Sequence, residues 1–290
     1  MPTTLDRLPA TTAMGALHLR VADLASLLDF YTRGVGLRPI NEVDGTVTLG
    51  LGDRVVVVLE ASPELRPAAR GQAGLFHTAV LFDSAADLSA SLVRMFTHFG
   101  HTFTGSADHL VSEAFYFTDP EGNGVELYVD RPRDAWTWVD NRVSMDTIHL
   151  DPRGYLERHL DPDADVLADD PSLAGTLGHV HLQVGDIPTA RRFYVDVLGF
   201  DETFAWGTQA LFVSAGGYHH HMAMNTWQSR GAGKRAWTLG MGDVVITLPA
   251  STDLDAVGAR LRDAGHSTDH DGRTLTTDDP WNNRLRLTSA

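Results

Sequence analysis

Residues 180–200, VHLQVGDIPTARRFYVDVLGF, repeat a segment that already stands at residues 17–37, LHLRVADLASLLDFYTRGVGL. Both segments begin with alternating apolar residues, pass through an aspartate, and end in a run that carries Phe-Tyr and a late glycine. Alternation is typical of a half-buried strand, and the later apolar spacing is typical of one face of a helix. The repeated unit therefore begins with a strand followed by a helix.

A second set of matching segments extends the repeat. Residues 74–82 (GLFHTAVLF) align with 240–248 (GMGDVVITL), and residues 118–127 (TDPEGNGVEL) align with 278–287 (DDPWNNRLRL). The chain thus contains four related modules of roughly 45 to 60 residues, as expected of a repeat architecture. Short strands separated by glycine-containing turns follow each helix, so each module is predicted to have the order βαβββ.

The repeat predicts two domains and a linker. Modules 1 and 2 occupy residues 10–132, and modules 3 and 4 occupy residues 176–290. The intervening residues 133–175 are rich in Asp, Pro and Arg, and they are predicted to form a surface linker with a short helix near residues 154–159. Asp23 and Asp186 precede helical segments and are expected to cap them.

The composition excludes several classes of function. The 290 residues include no cysteine, so thiolate metal sites and thiol nucleophiles are excluded. A formal net charge of −15 opposes binding to nucleic acid or to anionic membranes. No apolar run approaches the ~20 residues that span a bilayer, and the first ten residues do not resemble a signal peptide. We therefore expect a cytoplasmic protein with a small neutral or aromatic ligand.

One repeated position carries candidate metal ligands. In modules 1 to 4 it is occupied by Ala16, His77, His179 and Asp243. A second position, near the end of the module, is occupied by Glu126 in module 2 and by Arg286 in module 4. Two histidines and one glutamate together form a set of nitrogen and oxygen donors, which is what a metal site without cysteine requires.

Three motifs carry a resemblance to a known family. The stretch LGHVHLQVGD, a helix with FYxxxLGF, and strands joined by DPEGNGVELY resemble the vicinal oxygen chelate superfamily, and most closely its two-domain extradiol dioxygenases of the catechol 2,3-dioxygenase type. The resemblance implies an α+β fold in which four modules form two open eight-stranded barrels, with a metal held by first and last strands. Relatives include isomerases, thiol transferases, epimerases and metal-free drug-binding proteins, so the fold alone leaves the function open.

The module pairing decides the metal ligands. Pairing modules 3 and 4 would place His179 with Arg286, and a guanidinium cannot ligate a cation. Pairing modules 2 and 3 unites His77, Glu126 and His179 without any substitution, as in a subset of the ring-cleaving relatives. We adopt this inner pairing, and we expect the outer modules 1 and 4 to form a second barrel without a metal.

Pairing of modules 1 and 2 remains the alternative. It supplies His77 and Glu126 but places Ala16 at the third position. His18 stands two residues along the same strand, and strand alternation keeps it on the same face.

The resemblance implies an extradiol ring-cleaving dioxygenase that uses O2 on a small catechol-type aromatic substrate. Two histidines and one carboxylate form the facial triad typical of non-haem Fe(II) sites, and Mn(II) would suit the same ligands. One alternative is a metal-dependent lyase or isomerase of the glyoxalase type. Such an isomerase would require a fourth protein ligand from the last strand of module 3, at roughly the position of Met222, which is a poor ligand for a hard metal. The other is a metal-free small-molecule (drug) binding protein. Nucleic-acid and membrane partners are not expected, and homo-oligomerisation stays open.

The resemblance also supplies candidate catalytic residues. His219, His220 and His221 begin the predicted last strand of module 3, where relatives often carry an acid/base histidine. Alternation would place His220 on the face of Met222, so we select His220 as the acid/base.

A further group of candidates flanks the predicted site. Tyr116 matches a tyrosine of the family motif ten residues before Glu126, and His109 resembles a catalytic histidine on the same hairpin. We expect the substrate to be bound by His221, Asn225 and Trp227.

Overall fold

The computed structural model describes residues 7–169 and 171–290. Module 1 contains β1 (Ala13–Val21), α1 (Leu24–Asp29), β2 (Arg38–Val43), β3 (Thr46–Leu51) and β4 (Arg54–Ala61). Module 2 contains β5 (Gly74–Phe82), α2 (Ala85–Phe99), β6 (Phe103–Asp108), β7 (Ser112–Thr118) and β8 (Gly124–Asp130). The linker forms β9 (Trp138–Val139), β10 (Arg142–Val143), β11 (Ile148–His149) and α3 (Pro152–His159). Module 3 contains β12 (Gly175–Gln183), α4 (Ile187–Arg191), β13 (Asp201–Trp206), β14 (Ala210–Ser214) and β15 (Met222–Asn225). Module 4 contains β16 (Gly240–Leu248), α5 (Ser251–Asp263), β17 (Thr268–His270), β18 (Thr274–Asp278) and β19 (Arg284–Ser289). All four modules therefore follow the predicted order.

The first helices of modules 1 and 3 begin at the predicted aspartates. The Asp23 carboxylate accepts a hydrogen bond from Ser26 N at 3.1 Å, and the Asp186 carboxylate accepts one from Thr189 N at 2.8 Å. Each bond satisfies an amide of the first turn that has no partner within the helix. The capping prediction is confirmed.

Both helices continue as wider π-helical turns, which the sequence pattern did not predict. The π turns cover Phe30–Val35 in module 1 and Arg192–Val197 in module 3. The consecutive residues Phe30 and Tyr31 are both fully buried. Consecutive residues of a regular α-helix point about 100° apart, so burial of both rings requires core contacts on more than one side of this turn.

The strands form two large mixed sheets, which gives an α+β fold. The outer sheet has eight strands in the order β17-β18-β19-β16-β1-β4-β3-β2, all from modules 1 and 4. The inner sheet has nine described strands in the order β11-β6-β7-β8-β5-β12-β15-β14-β13, of which β11 comes from the linker and the rest from modules 2 and 3. Each sheet thus takes strands from both halves of the sequence, and the residue limits of the two halves remain a prediction.

The contacts at the centre of each sheet decide the pairing of modules. Strand β1 runs antiparallel to β16, and β5 runs antiparallel to β12. The inner pairing of modules 2 and 3 is therefore confirmed, and the alternative pairing of modules 1 and 2 is wrong. His18 lies in the outer sheet for this reason.

One continuous apolar core extends through all four modules, and two smaller buried clusters lie beside it. The continuous core includes Leu17, Leu127, Leu182 and Leu285, one from each module, and all four are fully buried. Burial of this kind contributes about 25 cal/mol per Å² of apolar surface, so the two sheets stabilise each other through it. Among the described residues, no helix combines the length and the apolar character needed to cross a bilayer.

Candidate metal centre

His77, Glu126 and His179 converge in the inner sheet. His77 Nε2 lies 3.0 Å from Glu126 Oε2, and His179 Nε2 lies 3.2 Å from the same oxygen. All three side chains are buried, and their candidate ligand atoms lie within 4.8 Å of one another. Within the described part of the chain, this is the one group of three or more potential ligands that is close enough to hold a metal ion.

The strand register explains this convergence. Ala79 pairs with both Glu126 on β8 and His179 on β12, so the two ligands flank the same position of β5. His77 stands two residues before Ala79 and therefore projects from the same face. Three neighbouring strands thus deliver one ligand each to one side of the sheet.

Burial adjusts the ionisation of these groups. Burial lowers the pKa of His179 to about 4, so its imidazole is neutral near pH 7. Burial raises the pKa of Glu126, but the opposing effects of His179 and His77 leave that pKa well below its usual value. Neutral imidazoles and an ionised carboxylate are the protonation states in which these residues ligate a metal.

The donors fit a divalent cation. Two ligand atoms that each lie ~2.1 Å from a metal and at right angles to each other are ~3.0 Å apart, which matches both distances to Glu126 Oε2. His77 Nε2 is buried and has no hydrogen bond of acceptable geometry to any residue in 7–169 or 171–290. Such an unsatisfied buried nitrogen is costly unless another group binds it. A metal ion is the partner that suits all three donors.

Tyr128 packs directly against the ligand-bearing strand. Its ring centroid lies 4.9 Å from that of His179. A Cβ placed on Gly178, the residue before His179, would lie 1.9 Å from the Tyr128 hydroxyl oxygen. Only glycine permits this approach, so the packing of Tyr128 beside the metal centre requires Gly178.

His220 lies beside the cluster, although not for the predicted reason. Its ring centroid is 4.1 Å from that of His179, and burial lowers its pKa well below the usual value. The alternation argument that grouped His220 with Met222 is wrong. Strand β15 begins only at Met222, which pairs with Val180 and faces the apolar core. His220 reaches the site because residues 219–221 leave the regular strand.

The position expected to supply a fourth ligand is also different. In module 2, Glu126 pairs with Ala79, which stands two residues after His77. In module 3, the residue two after His179 is His181, and it pairs with Ala223. The equivalent of Glu126 is therefore Ala223 and not Met222. A methyl group cannot ligate a metal, so module 3 offers no carboxylate at this position.

Tyr116 and His109 form a hydrogen-bonded pair next to Glu126. Tyr116 lies directly opposite Glu126 across the β7–β8 pair, and its hydroxyl is 2.7 Å from His109 Nε2. His109 Nδ1 is 2.7 Å from the Asp146 carbonyl oxygen, which can only accept, so Nδ1 carries the proton. Burial raises the pKa of Tyr116 well above its usual value, so the hydroxyl remains a donor.

His181 is a site residue that sequence reasoning missed. It is fully enclosed, its ring centroid lies 4.8 Å from that of His77, and Asn225 Nδ2 lies 3.0 Å from its Nε2. Burial lowers the pKa of His181 well below its usual value. The available signal was its spacing of two residues from His179, which puts both imidazoles on one face of β12.

Aromatic rings surround one side of the cluster. Phe76 lies 5.0 Å from His181 and 5.2 Å from Trp227, measured between ring centroids, and Trp227 is 45% exposed. Phe212 lies 5.0 Å from His220. The predicted residues Asn225 and Trp227 are therefore both close to the cluster, and the exposed Trp227 marks its solvent side.

His221 points to a different environment. Its Nδ1 accepts a hydrogen bond from Ala215 N at 3.2 Å, and its ring packs 5.0 Å from that of Tyr218. Burial lowers the pKa of His221 to about 3. These contacts occupy the side chain with the protein, so the structure does not bring it to the cluster as it does Asn225.

A groove lies away from this cluster, on another part of the surface. It has a volume of about 820 Å³ and runs beside the β9–β10 hairpin. Glu202 in its lining is ion-paired with both Arg142 and Arg191. The groove contains none of the candidate metal ligands.

The chain is similar to known proteins over most of its length. The chain matches the Glyoxalase/Bleomycin resistance protein/Dioxygenase superfamily over residues 12–127 and 176–287. It is 36% identical over 275 residues to a catechol-2,3-dioxygenase of Bacillus subtilis (strain 168), a match that covers 93% of this chain and 94% of that protein. A biphenyl-2,3-diol 1,2-dioxygenase 2 of Rhodococcus globerulus is 28% identical over 136 residues, covering 45% of this chain and 71% of that protein.

Solved structures show the same fold at low sequence identity. Glyoxalase I from Zea mays aligns with a TM-score of 0.55 at 15% identity, covering 96% of this chain and 92% of that one. The CppA protein from Streptococcus pneumoniae aligns with a TM-score of 0.59 at 10% identity, covering 98% of this chain and all of that one. These similarities support the fold. They do not identify the reaction, which has to be inferred from the residues of the site.

Proposed function

Because the chain belongs to the Glyoxalase/Bleomycin resistance protein/Dioxygenase superfamily, we propose that it is an extradiol ring-cleaving dioxygenase acting on a small catechol-type aromatic compound with Fe(II) and O2. The observation that carries the proposal is the buried cluster of His77, Glu126 and His179. Its composition of two imidazoles and one carboxylate is the ligand set of non-haem Fe(II) sites that leave coordination positions open. The similarity to a catechol-2,3-dioxygenase over 93% of the chain supports the same assignment.

His77, Glu126 and His179 would hold the metal. When bound, the metal would supply Lewis-acid chemistry that lowers the pKa of a substrate hydroxyl, and a redox-active metal would activate O2. The absence of a carboxylate at Ala223 keeps the protein ligands at three, which favours this reaction over a glyoxalase-type isomerisation with a fourth protein ligand.

His220 would receive a proton from the substrate and later return it. Its ring lies against His179, and a neutral imidazole has a nitrogen lone pair that can accept a proton. The opposite side of the cluster carries Tyr116, whose hydroxyl donates a hydrogen bond to His109 Nε2. A positioned acid/base is typically worth ~100- to 10,000-fold in rate.

The aromatic side chains would hold the ring. Phe76, Phe212 and Trp227 provide apolar faces around His181, and aromatic pairs contribute ~0.5–1.5 kcal/mol beyond the area they bury. The Asn225 amide would orient a polar substituent or hold His181 in place.

Anaerobic reconstitution with Fe(II), followed by oxygen-electrode measurements on a panel of catechols, tests the proposal. We expect one O2 consumed per catechol, with both oxygen atoms entering a yellow ring-opened hydroxy-semialdehyde. His220→Ala should keep its metal and lose ~100-fold or more in kcat. Turnover of a hydroxy- or oxo-compound without O2 uptake would assign a lyase or isomerase, and catechol binding without turnover would assign a binding protein.

A further inference from the structure

A chain of three side chains leads from the end of β8 to His220. Asp130 Oδ1 lies 2.8 Å from His219 Nε2, and His219 Nδ1 lies 2.7 Å from His220 Nδ1. His219 is fully buried and His220 is 7% exposed. Both distances are those of good hydrogen bonds, and water competes little for them.

The acceptor at one end determines where the protons lie. A carboxylate only accepts, so His219 Nε2 carries the proton of that bond. In neutral His219 the other nitrogen, Nδ1, is then an acceptor, and His220 Nδ1 must donate to it. Neutral His220 consequently has its lone pair on Nε2, which lies across the ring from His219 and makes no hydrogen bond to the described residues.

The surroundings hold this arrangement in place. The Tyr218 hydroxyl interacts with Asp130, and the Tyr128 hydroxyl lies 2.8 Å from that of Tyr218. Trp136 packs against His219 with ring centroids 5.2 Å apart. Asp130 therefore contacts Tyr218 as well as His219, and the His219 imidazole is packed against the aromatic rings of Trp136 and Tyr218.

We propose that Asp130 and His219 are positioning residues that fix His220 in the tautomer with an unprotonated Nε2, the form that accepts a proton from a hydroxyl of the substrate. The role in the reaction rests on the proposed function, whereas the tautomer is a property of the protein alone. Orientation of a histidine by hydrogen bonding at its other nitrogen is how a protein selects which nitrogen acts on the substrate.

Nitrogen-15 NMR of histidine-labelled, chelator-treated protein near pH 7 measures the tautomer directly. The long-range proton–nitrogen correlations should show His220 protonated at Nδ1 and His219 protonated at Nε2, with assignments taken from His220→Gln and His219→Gln. A wild-type spectrum in which His220 carries its proton on Nε2 overturns the proposal without reference to any variant.

Three variants at two positions test the role of Asp130. Asp130→Leu removes the acceptor and should leave His220 in a mixture of tautomers, whereas Asp130→Asn retains an acceptor oxygen and should restore the wild-type pattern. Asp278→Leu, which removes a half-buried carboxylate of the outer sheet paired with Arg284, is the matched control and should leave the His220 signals unchanged. An unchanged His220 tautomer in well-folded Asp130→Leu also overturns the proposal.

Kinetics separate this inference from the proposed function. In the Fe(II) protein, Asp130→Leu should bind metal and have a KM as wild type does, while its kcat should fall ~10- to 100-fold. Losses of this size are typical when a residue that orients a metal-binding side chain by a hydrogen bond is replaced. Asp130→Asn should recover most of kcat. If wild-type protein opens no catechol, the proposed function fails while the NMR result still decides the tautomer. If catechols are opened and Asp130→Leu has wild-type kcat, the positioning role fails alone.

Discussion

Arg286 Nε lies 2.7 Å from Asp243 Oδ2 in the outer sheet. The two residues stand on β19 and β16 with the same offset that separates Glu126 on β8 from His77 on β5. His18 Nδ1 lies 3.3 Å from the other Asp243 oxygen. The outer sheet thus places a guanidinium near the location that corresponds to the metal in the inner sheet, and this fixed cation neutralises a buried carboxylate.

We expect metal binding to depend on the inner triad alone. His77→Ala, Glu126→Ala and His179→Ala should each abolish stoichiometric Fe(II) or Mn(II), because a divalent ion held by two remaining protein donors is bound weakly. Asp243→Ala, the matched change in the outer sheet, should bind one equivalent as wild type does. Metal analysis after gel filtration, with circular dichroism as a check on folding, measures this. Full metal content in His77→Ala would place the site elsewhere.

Loss of Arg286 should destabilise the protein. Asp243 is 4% exposed, and Arg286→Leu would remove its closest cationic partner, leaving His18 Nδ1 at 3.3 Å and the more distant charges of Arg20 and Arg284. Breaking a buried ion pair costs ~3–5 kcal/mol, and we expect about 1–2 kcal/mol here because the guanidinium is itself partly exposed.

The double variant Arg286→Leu/Asp243→Asn should recover most of that stability, since no unpaired charge remains. Urea unfolding of the single and double variants measures both changes. Equal instability of the two variants would show that Arg286 stabilises through packing and not through the ion pair.

Gly178→Ala should displace the neighbouring ligand His179 and so weaken the metal centre. The new methyl group would collide with the Tyr128 hydroxyl oxygen at 1.9 Å and with Leu81 Cβ at 2.8 Å, so β12 must move. Overpacking of this kind costs ~1–3 kcal/mol, and displacement of His179 should weaken metal binding as well. Gly233→Ala is the control, because no atom lies within 4 Å of its added Cβ. Thermal unfolding and metal titration report the two effects, and equal behaviour of the two variants would contradict this account.

His221 should contribute to loss of stability in acid. Burial lowers its pKa to about 3, while in the unfolded chain the pKa is near 6.5. The unfolded chain therefore binds a proton that the folded chain does not. The stability from neutral His221 is complete above pH 6.5 and is lost as the pH falls towards 3.

Replacement His221→Gln should consequently reduce the pH dependence of the free energy of unfolding. The reduction between pH 6 and 4 should be at most about 1.4 kcal/mol per pH unit, the limit for one proton. Chelator-treated protein is used so that metal release does not contribute. Identical slopes for the variant and wild type would mean that His221 is accessible to protons in the folded state.

Local sequence determined the modules and their elements. Asp23 and Asp186 before the helices of modules 1 and 3, the alternation of LHLRV and VHLQV, and the turn sequence DPEGN act over a few residues. Hydrogen bonding and side-chain periodicity therefore decide these elements before distant parts of the chain meet. The π-helical turns were the exception, because burial of Phe30 beside Tyr31 depends on the sheets that pack over them.

The tertiary structure decided how these elements assemble around the cluster. Alignment of the internal repeats supplied His77, Glu126 and His179 and favoured the inner pairing of modules 2 and 3, but it left the pairing of modules 1 and 2 open. The hydrogen bonding of β5 to β12 joins the three residues in one sheet. Strand alternation did not predict the orientation of His220, because residues 219–221 lie outside the strand. The contact between Asp130 and His219 joins residues 89 positions apart, and no local periodicity encodes such a distance. The spacing of residues along the chain determines the helices, strands and turns of each module. The metal centre forms only when packing of the core brings modules 2 and 3 together.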